Sequence, residues 1–166
     1  MLVAAIPVDE ENRLAALHNL EILDTPSVEQ LDHITKLARE EFEVAVSMVT
    51  LVDRHRQWFK SINGYDLDET DRAISFCAHT ILEDACLIVP DLSQDPRFMG
   101  NPLVTEEPKV RFYAGCPIHD PTRYRIGTFC IVDTKPRSFD LSDIAKLTEL
   151  ARIVEEQIAL DYFNSV

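Results

Sequence analysis

The sequence predicts an α+β protein in which helices pack against an antiparallel sheet. Helical periodicity occurs near both ends of the chain, over residues 10–42 and 140–163, and the segments between them are rich in β-branched and aromatic residues. These strand-like segments do not alternate with helices, as a parallel α/β sheet requires. The chain has 166 residues, enough for one domain with a substantial core, so we expect residues 1–166 to form a single domain.

Two helices are predicted near the N-terminus. The first covers residues 10–23, begins with acidic residues and places four leucines at helical spacing. The sequence Asp24-Thr25-Pro26 ends it, and Asp24 or Thr25 is the expected cap of the second helix, with Pro26 in its first turn. The second helix runs to about Phe42 and has a broad apolar face.

A β-hairpin follows the two helices. Residues 44–52 are apolar on both faces, which is typical of a central strand, and residues 57–62 form its partner, ended by Asn63-Gly64. Residues 64–73 are polar and acidic, which predicts a loop. Residues 75–83 are predicted to form a short helix.

The second half of the sheet comes from three further strands, predicted over residues 86–90, 111–118 and 124–132. Residues 91–110 contain three prolines and a glycine, which predicts a long loop with short helical turns. Long ordered loops in compact domains are often functional.

The last helix, residues 140–163, carries two apolar stripes, with Asp140 or Ser142 near its N-terminal cap. One stripe contains Ile144, Leu147, Ala151, Val154 and Ile158, and the other contains Leu150, Ile153 and Leu160. One stripe is enough to cover a sheet. The second stripe therefore indicates either a further partner, such as another copy of the chain, or burial by the first two helices.

Charge and composition exclude several classes of function. The formal net charge of −13 repels nucleic acid and anionic membrane surfaces. The apolar N-terminal run is short and lacks the basic region of a secretory signal, and no segment has the roughly 20 apolar residues of a membrane span. We therefore expect a cytoplasmic protein whose four cysteines are reduced. His55 and His119 are expected to be exposed turn residues.

The stretch SFCAHTIL, residues 75–82, places Cys77 two positions before His79. Side chains at this spacing share a face on a strand but diverge by about 200° on a helix, because each helical residue turns by about 100°. The predicted helix thus favours a buried cysteine and a packed histidine over a catalytic pair. No cysteine or histidine spacing matches a structural zinc site, so we expect no metal.

Six segments resemble the GAF domain family, in the form found in bacterial signalling proteins. They follow the family's order and cover nearly the whole chain: RLAALHNLEILDTP (13–26), VSMVTLVDRHRQWFKS (46–61), ISFCAHTIL (74–82), LIVPDLSQDPRFMGNPLV (87–104), RFYAGCPI (111–118) and IGTFCIVDTKPR (126–137). The resemblance implies a central antiparallel sheet of about six strands, with the terminal helices on one face and a small-molecule ligand pocket on the other.

The resemblance also implies a sensory or regulatory role. Such a domain binds a small molecule, acts in bacterial signal transduction and forms a homodimer through its terminal helices. The resemblance does not identify the ligand or cofactor, because one fold serves many functions. The Asn-Lys-Phe-Asp-Glu signature of cyclic-nucleotide-binding members is absent, and Cys77-Ala78-His79 differs from the adjacent Cys-His of bilin-binding members.

Candidate ligand-binding residues lie on the segments that wall the pocket in the family. They are Phe76, Cys77, His79, Phe98, Phe112 and Tyr113, with Asp91, Arg97 and Asn101 as polar contacts from the loop. The alternative is that Phe98 and Phe112 belong to the core and that Asp91 caps a turn.

Two other functions are compatible with the sequence. Cys77, Cys86 and Cys116 loosely follow the order of pocket cysteines in GAF-fold enzymes that reduce free methionine sulfoxide, although the local motifs differ. A degenerate module that only dimerises is the other alternative. The sequence contains no complete catalytic set, which favours binding over catalysis.

Overall fold

The computed structural model describes residues 1–165 and contains five α-helices and six strands in that range, with two short 3-10 helices besides. In chain order they are α1 (Glu10–Asn19), α2 (Glu29–Phe42), β1 (Val46–Val52), β2 (Arg56–Asn63), β3 (Glu69–Asp71), α3 (Cys77–Thr80), β4 (Leu87–Val89), α4 (Pro102–Thr105), β5 (Phe112–His119), β6 (Arg125–Asp133) and α5 (Leu141–Ser165). The six strands form one sheet in the order β3-β2-β1-β6-β5-β4, and every pairing is antiparallel. This confirms the predicted α+β fold.

Both faces of the sheet are covered, because alternate side chains of each strand enter two different apolar clusters. On β1, Val49 and Leu51 face the helices, whereas Met48 and Val52 face the opposite side. We call these the helix face and the loop face. Helices α1, α2 and α5 pack on the helix face, and α3 with the loop between β4 and β5 covers the loop face. Burial on both faces explains why β1 lacks polar alternation.

The start of α2 differs from the prediction. Helix α1 ends at Asn19, and α2 begins at Glu29 with Val28 at its N-cap, so the expected caps Asp24 and Thr25 are wrong. Asp24 adopts a left-handed backbone conformation with φ of 61°, which ends any helical run. Lys60 of β2 donates to Thr25 and to the Pro26 carbonyl, so this segment bonds to the sheet instead.

Strand β3 lies in the segment that was predicted to be a loop. Its three residues pair with Arg56, Gln57 and Trp58 of β2 at the edge of the sheet. An edge strand of this length needs only backbone pairing and buries few side chains, so its polar composition gives no signal of a strand.

The two apolar stripes of helix α5 differ in how far they are buried. Leu147, Ala151, Val154 and Ile158 are fully or almost fully buried against the sheet. Leu150 and Ile153 of the other stripe are partly buried against the same core, whereas Leu160 is 56% exposed. The helix therefore covers the sheet with one stripe, and residues 1–165 leave the end of the other stripe uncovered. Among residues 1–165, no helix is both long and apolar enough to cross a membrane.

The expectation of four reduced cysteines is wrong for one pair. Cys86 and Cys116 form a disulfide across β4 and β5. In the register of β4 and β5, Leu87 pairs with Gly115. Cys86, one residue before Leu87, therefore lies opposite Cys116, one residue after Gly115. Cys77 and Cys130 are free and buried on the loop face.

Candidate functional site

The loop face of the sheet contains a cavity of about 330 Å³, which we call the sheet cavity. Strands β1, β2 and β6 form its floor, and its walls come from α3, α4 and the segments around Tyr65 and Pro108. Its lining is mainly apolar. The main apolar contributors are Val46, Met48, Phe59, Ile62, Phe76, Leu103, Val110 and Val132. This volume lies near the lower end of the range for small-molecule sites, about 300–1,000 Å³.

Gln57 is the polar side chain that stands out in this lining. It follows the turn at the start of β2 and shares a face with Phe59, two residues on. Its Nε2 donates to Thr70 Oγ1 at 3.1 Å, and its Oε1 is buried without a hydrogen-bond partner. The residue is 4% exposed. Leaving a buried acceptor unpaired costs about 1–3 kcal/mol, so such groups are rare in folded proteins.

The charged groups of the sheet cavity are acidic. Among the described residues that line it, Glu107 and Asp133 carry carboxylates, and none is lysine, arginine or histidine. Asp133 pairs with Arg137 at 2.8 Å, which offsets its charge. Glu107 is exposed and forms no ion pair with residues 1–165.

Cys77 lines the cavity and lies in a buried polar cluster. Its sulfur lies 3.1 Å from Thr128 Oγ1, 3.4 Å from Tyr113 Oη and 3.8 Å from the sulfur of Cys130. Burial acts to raise the pKa of Cys77, but hydrogen bonds to its sulfur from Cys130, Thr128 and Tyr113 lower the pKa to about 7. Burial raises the pKa of Cys130 and of Tyr113.

Three of the predicted binding residues meet at the cavity. Phe76, Cys77 and Tyr113 all line it, and the rings of Phe76 and Tyr113 lie 5.4 Å apart. Phe98 packs edge-on against Phe76 in the same buried cluster but is not a lining residue. The prediction that SFCAHTIL contributes to the pocket wall thus agrees with the position of two of its side chains. Ligand binding by these residues stays a prediction.

The other predicted residues lie elsewhere. His79 packs on Phe98, and its Nε2 lies 3.2 Å from the Leu2 carbonyl oxygen. Burial lowers the pKa of His79. Phe112 points to the helix face, between the helices and Phe139. The structure therefore does not bring His79 or Phe112 to the sheet cavity.

The three polar candidates have structural partners within the chain. Asp91 accepts hydrogen bonds from the amide and hydroxyl of Ser93. Arg97 forms an ion pair with Asp95 at 2.7 Å, and Asn101 caps α4 by accepting from the Leu103 amide. None of the three lines the sheet cavity.

The cysteines are divided between the two faces of the sheet. Cys86 and Cys116 lie on the helix face, where both sulfurs approach Thr148 of α5, whereas Cys77 lines the sheet cavity. The three cysteines of the redox alternative therefore do not share one pocket. Within residues 1–165, no group of three or more histidine, cysteine, aspartate or glutamate side chains is arranged to hold a metal ion.

Several lining residues were not predicted from the sequence, among them Gln57, Met48, Phe59 and Val132. The sequence offered one signal for two of them. Gln57 and Phe59 lie two residues apart in a predicted strand, so their side chains share one face, and Gln57 is a polar residue on that face. Which face carries the cavity could not be known without the order of the strands.

Comparison with known proteins supports the same fold over the whole chain. The sequence profile of the GAF domain matches residues 27–158. The chain is 35% identical over 159 residues to the cyclic di-GMP phosphodiesterase PA2567 of Pseudomonas aeruginosa. The alignment covers 95% of this chain and 27% of that relative, so the chain spans about a quarter of its length.

Solved structures with low sequence identity share the fold. The free methionine-R-sulfoxide reductase of Neisseria meningitidis, solved with its substrate, superposes with a TM-score of 0.67 at 18% identity and covers 100% of this chain and 99% of that one. A domain assigned to a two-component sensor histidine kinase protein of Sinorhizobium meliloti gives a TM-score of 0.62 at 14% identity, covering 86% of this chain and 100% of the other. With the profile match and the 35% identical relative, these results show that the chain belongs to the GAF domain family.

Proposed function

We propose that this GAF domain is a sensory module of bacterial signal transduction that binds a small molecule in the sheet cavity. The observation that carries the proposal is the mainly apolar cavity of about 330 Å³ on the loop face of the sheet. The similarity to part of a cyclic di-GMP phosphodiesterase and to a sensor kinase domain supports a regulatory role in signalling.

The cavity and the last helix lie on opposite faces of the same sheet, so the strands between them connect a ligand in the cavity to the helix. Strands β1 and β6 form the cavity floor, and α5 packs on the other side of β5 and β6. A ligand that binds more tightly to one arrangement of these strands will shift the position of α5, and only such a difference in affinity can produce a change. We propose that α5 carries this change to the output.

The same proposal includes a homodimer through the terminal helices, acting in the cytoplasm. The last turns of α5 support it, because Leu160 and Phe163 are 56% and 58% exposed. Large apolar side chains close together at a helix end favour association with a second apolar surface. The expected occupant is the same surface of a second copy.

Protection of Cys77 from a small thiol reagent tests ligand binding. Cys77 is the free cysteine that lines the cavity, whereas Cys130 is buried beneath it. Because Cys77 is only 2% exposed, methyl methanethiosulfonate must enter the cavity to reach its sulfur, and a pKa of about 7 favours the reactive thiolate at pH 8. Neutral ring compounds that fill the cavity are expected to slow the modification of Cys77, measured by peptide mass spectrometry.

Two matched variants make this test specific. Val46→Phe places a larger side chain at the cavity lining and is expected to abolish protection, whereas Val8→Phe makes the same change at a fully exposed position. Native mass spectrometry of the purified protein then identifies any molecule that co-purifies with wild type and Val8→Phe but not with Val46→Phe. Absence of both protection and a co-purifying molecule would support the dimerisation-only alternative instead.

A further inference from the structure

The disulfide between Cys86 and Cys116 lies at the edge of the sheet, and neither cysteine lines the sheet cavity. We propose that this disulfide is a reversible thiol–disulfide exchange site, at which a thiol attacks the sulfur of Cys86, and that its reduction loosens β4 and the wall of the sheet cavity. The attacking group is a thiolate, from either a small thiol or the dithiol of a reducing protein. This inference goes beyond the proposed function and does not depend on ligand binding.

The two cysteines of the disulfide differ in their exposure. Cys116 is 2% exposed, whereas Cys86 is half-buried and follows the exposed residues 83–85. The Cys86 sulfur lies 3.5 Å from the hydroxyl oxygen of Thr148, which is an exposed residue of α5. Because the rate of thiol exchange depends on access to the attacked sulfur, the exposure directs the attack to Cys86.

The exchange consists of two balanced steps. A thiolate forms a bond to the Cys86 sulfur, the bond between Cys86 and Cys116 breaks, and its electron pair leaves on the Cys116 sulfur, which takes a proton from water. A second thiol then attacks the sulfur of the attached group and releases Cys86 as a thiolate, which is protonated in turn. Two thiols are thereby oxidised to one disulfide, and the disulfide of the protein is reduced to two thiols.

The disulfide holds a strand that has few other bonds to the sheet. Strand β4 has three residues, lies at the edge of the sheet and pairs with β5 alone. Short edge pairings of this kind belong to the least stable parts of a fold and open locally. The disulfide adds a covalent bond directly before the strand, at the position where opening would begin.

The same disulfide closes the loop that contains part of the cavity wall. Cys86 and Cys116 lie 30 positions apart, and the chain between them includes α4 and the segment that follows it. Leu103, Pro108 and Val110 of this part of the chain line the sheet cavity. Reduction removes the cross-link, so the loop gains conformational freedom. The redox state of the two cysteines therefore controls the order of the cavity wall.

Peptide mass spectrometry of the full chain tests the point of attack. The oxidised wild type is incubated briefly with reduced glutathione, and iodoacetamide then blocks all free thiols. The glutathione adduct is expected at Cys86 at least about tenfold more often than at Cys116, because the Cys116 sulfur is buried. Equal adduct formation at the two cysteines would overturn Cys86 as the point of attack. A disulfide that stays intact in both glutathione and dithiothreitol would overturn the whole inference and leave the proposed ligand binding unaffected.

Two single variants give a stable adduct, since neither can form the disulfide again. Cys116→Ser keeps the more exposed thiol and Cys86→Ser keeps the buried one. With oxidised glutathione as the probe, Cys116→Ser is expected to be modified at least about tenfold faster than Cys86→Ser. Near-ultraviolet circular dichroism establishes that both variants are folded, and equal rates in the two folded variants would contradict the inference.

A trapping experiment distinguishes the two sources of the thiol. A thioredoxin whose second active-site cysteine is replaced by serine attacks a disulfide but cannot complete the reduction, so it stays attached to Cys86. Faster capture of Cys86 by this protein than by glutathione at equal concentration assigns the exchange to a protein dithiol. Slower capture assigns it to a small thiol.

Hydrogen exchange of the oxidised and the dithiothreitol-reduced wild type tests the structural consequence. Amides of residues 87–110 are expected to exchange at least about tenfold faster after reduction, whereas those of β1 and β2, which do not adjoin β4 or β5, keep their rates. Cys130→Ala retains the disulfide and is the matched control, with the same response as the wild type. Cys86→Ser is expected to exchange at the faster rate with or without dithiothreitol. Unchanged exchange of residues 87–110 on reduction would overturn the control of the cavity wall.

Discussion

At the scale of single residues, a buried cluster of charged side chains lies at the start of α1. The carboxylate of Glu10 pairs with Arg13 at 2.8 Å and with Arg72 at 2.6 Å. Arg13 is 1% exposed and also donates to the Val52 carbonyl at 2.7 Å. The cluster therefore joins α1 to β1 and to the turn before α3. From the sequence, Glu10 was only one of several acidic residues at a helix start.

Replacing Glu10 by glutamine is expected to destabilise the fold by about 3 kcal/mol at pH 7. Burial alone would raise the pKa of Glu10, but hydrogen bonds from Arg72 and Arg13 lower it from 4.5 to about 2. Because the folded-state pKa lies below the unfolded-state value, this stabilisation is complete above about pH 4.5 and is lost as the pH falls towards 2. The difference between the two pKa values corresponds to about 3 kcal/mol. Urea unfolding of wild type and Glu10→Gln across this pH range measures the difference.

The neighbouring residue supplies the control. Glu11 pairs with Arg54 on the surface, where the two side chains are 75% and 50% exposed. Glu11→Gln is expected to leave the free energy of unfolding nearly unchanged, because exposed ion pairs contribute little. Equal effects of Glu10→Gln and Glu11→Gln would show that the buried cluster does not stabilise the fold.

At the scale of elements, the contact between β5 and α5 depends on a histidine. His119 at the end of β5 lies 2.6 Å from Glu155 of α5 and 3.3 Å from Asp84, and Arg123 also approaches Glu155 at 3.4 Å. The side chain of His119 is only 12% exposed, so the expectation of an exposed turn residue is wrong. The histidine is part of the packing of the helix that we propose carries the signal.

This contact is expected to weaken as the pH rises. The hydrogen bond that the His119 ring donates to Glu155 raises the pKa of His119 above 6.5, against the opposing effect of burial, and a second one to Asp84 adds to the increase. A raised folded-state pKa gives stability that is complete below about pH 6.5 and is lost as the pH rises through the folded-state value. His119→Gln is therefore expected to lower stability by about 1–2 kcal/mol at pH 6, with a smaller loss at pH 9.

Melting temperatures of the wild type and His119→Gln between pH 6 and pH 9 measure this effect. His55→Gln, at an exposed turn position, is the matched control and is expected to follow the wild type throughout. A constant difference between wild type and His119→Gln at every pH would mean that the contact does not depend on the charge of the histidine.

The sequence predicted those elements whose side chains enter a core. Strands β1, β5 and β6 and helix α5 bury long apolar runs, and their positions were predicted to within a few residues. Strand β3 was missed because backbone pairing at an edge leaves no apolar pattern. The Cys86–Cys116 disulfide was missed because it depends on the register of β4 against β5, and the two residues lie 30 positions apart in the chain.

The candidate site was only partly predictable for the same reason. Phe76, Cys77 and Tyr113 were placed at the pocket through their position on segments shared with the family, and all three line the cavity. Phe112, next to Tyr113, points to the other face, since adjacent residues on a strand alternate. Gln57 was missed because a single polar residue in a predicted strand does not show which face of the sheet it occupies.

At the scale of the whole molecule, the sheet is covered on both faces, but one apolar surface of α5 has no partner among residues 1–165. Leu160 and Phe163 lie one helical turn apart, near the end of α5, and are more than half exposed. Val154 and Ile158, in the other stripe, are almost fully buried against the sheet. A homodimer through α5 must therefore use the exposed residues near its end rather than the stripe that covers the sheet.

Sedimentation of a double variant tests this surface. The wild type is expected to sediment as a dimer, and Leu160→Glu with Phe163→Glu is expected to raise the dissociation constant at least about 100-fold, since losing buried anchor residues typically costs 2 kcal/mol or more each. Leu141→Glu is the control, because Leu141 is 84% exposed at the opposite end of the same helix. A monomeric wild type, or a dimer that survives the double substitution, would remove the end of α5 from the interface, and the signal would then have to leave the domain through another element.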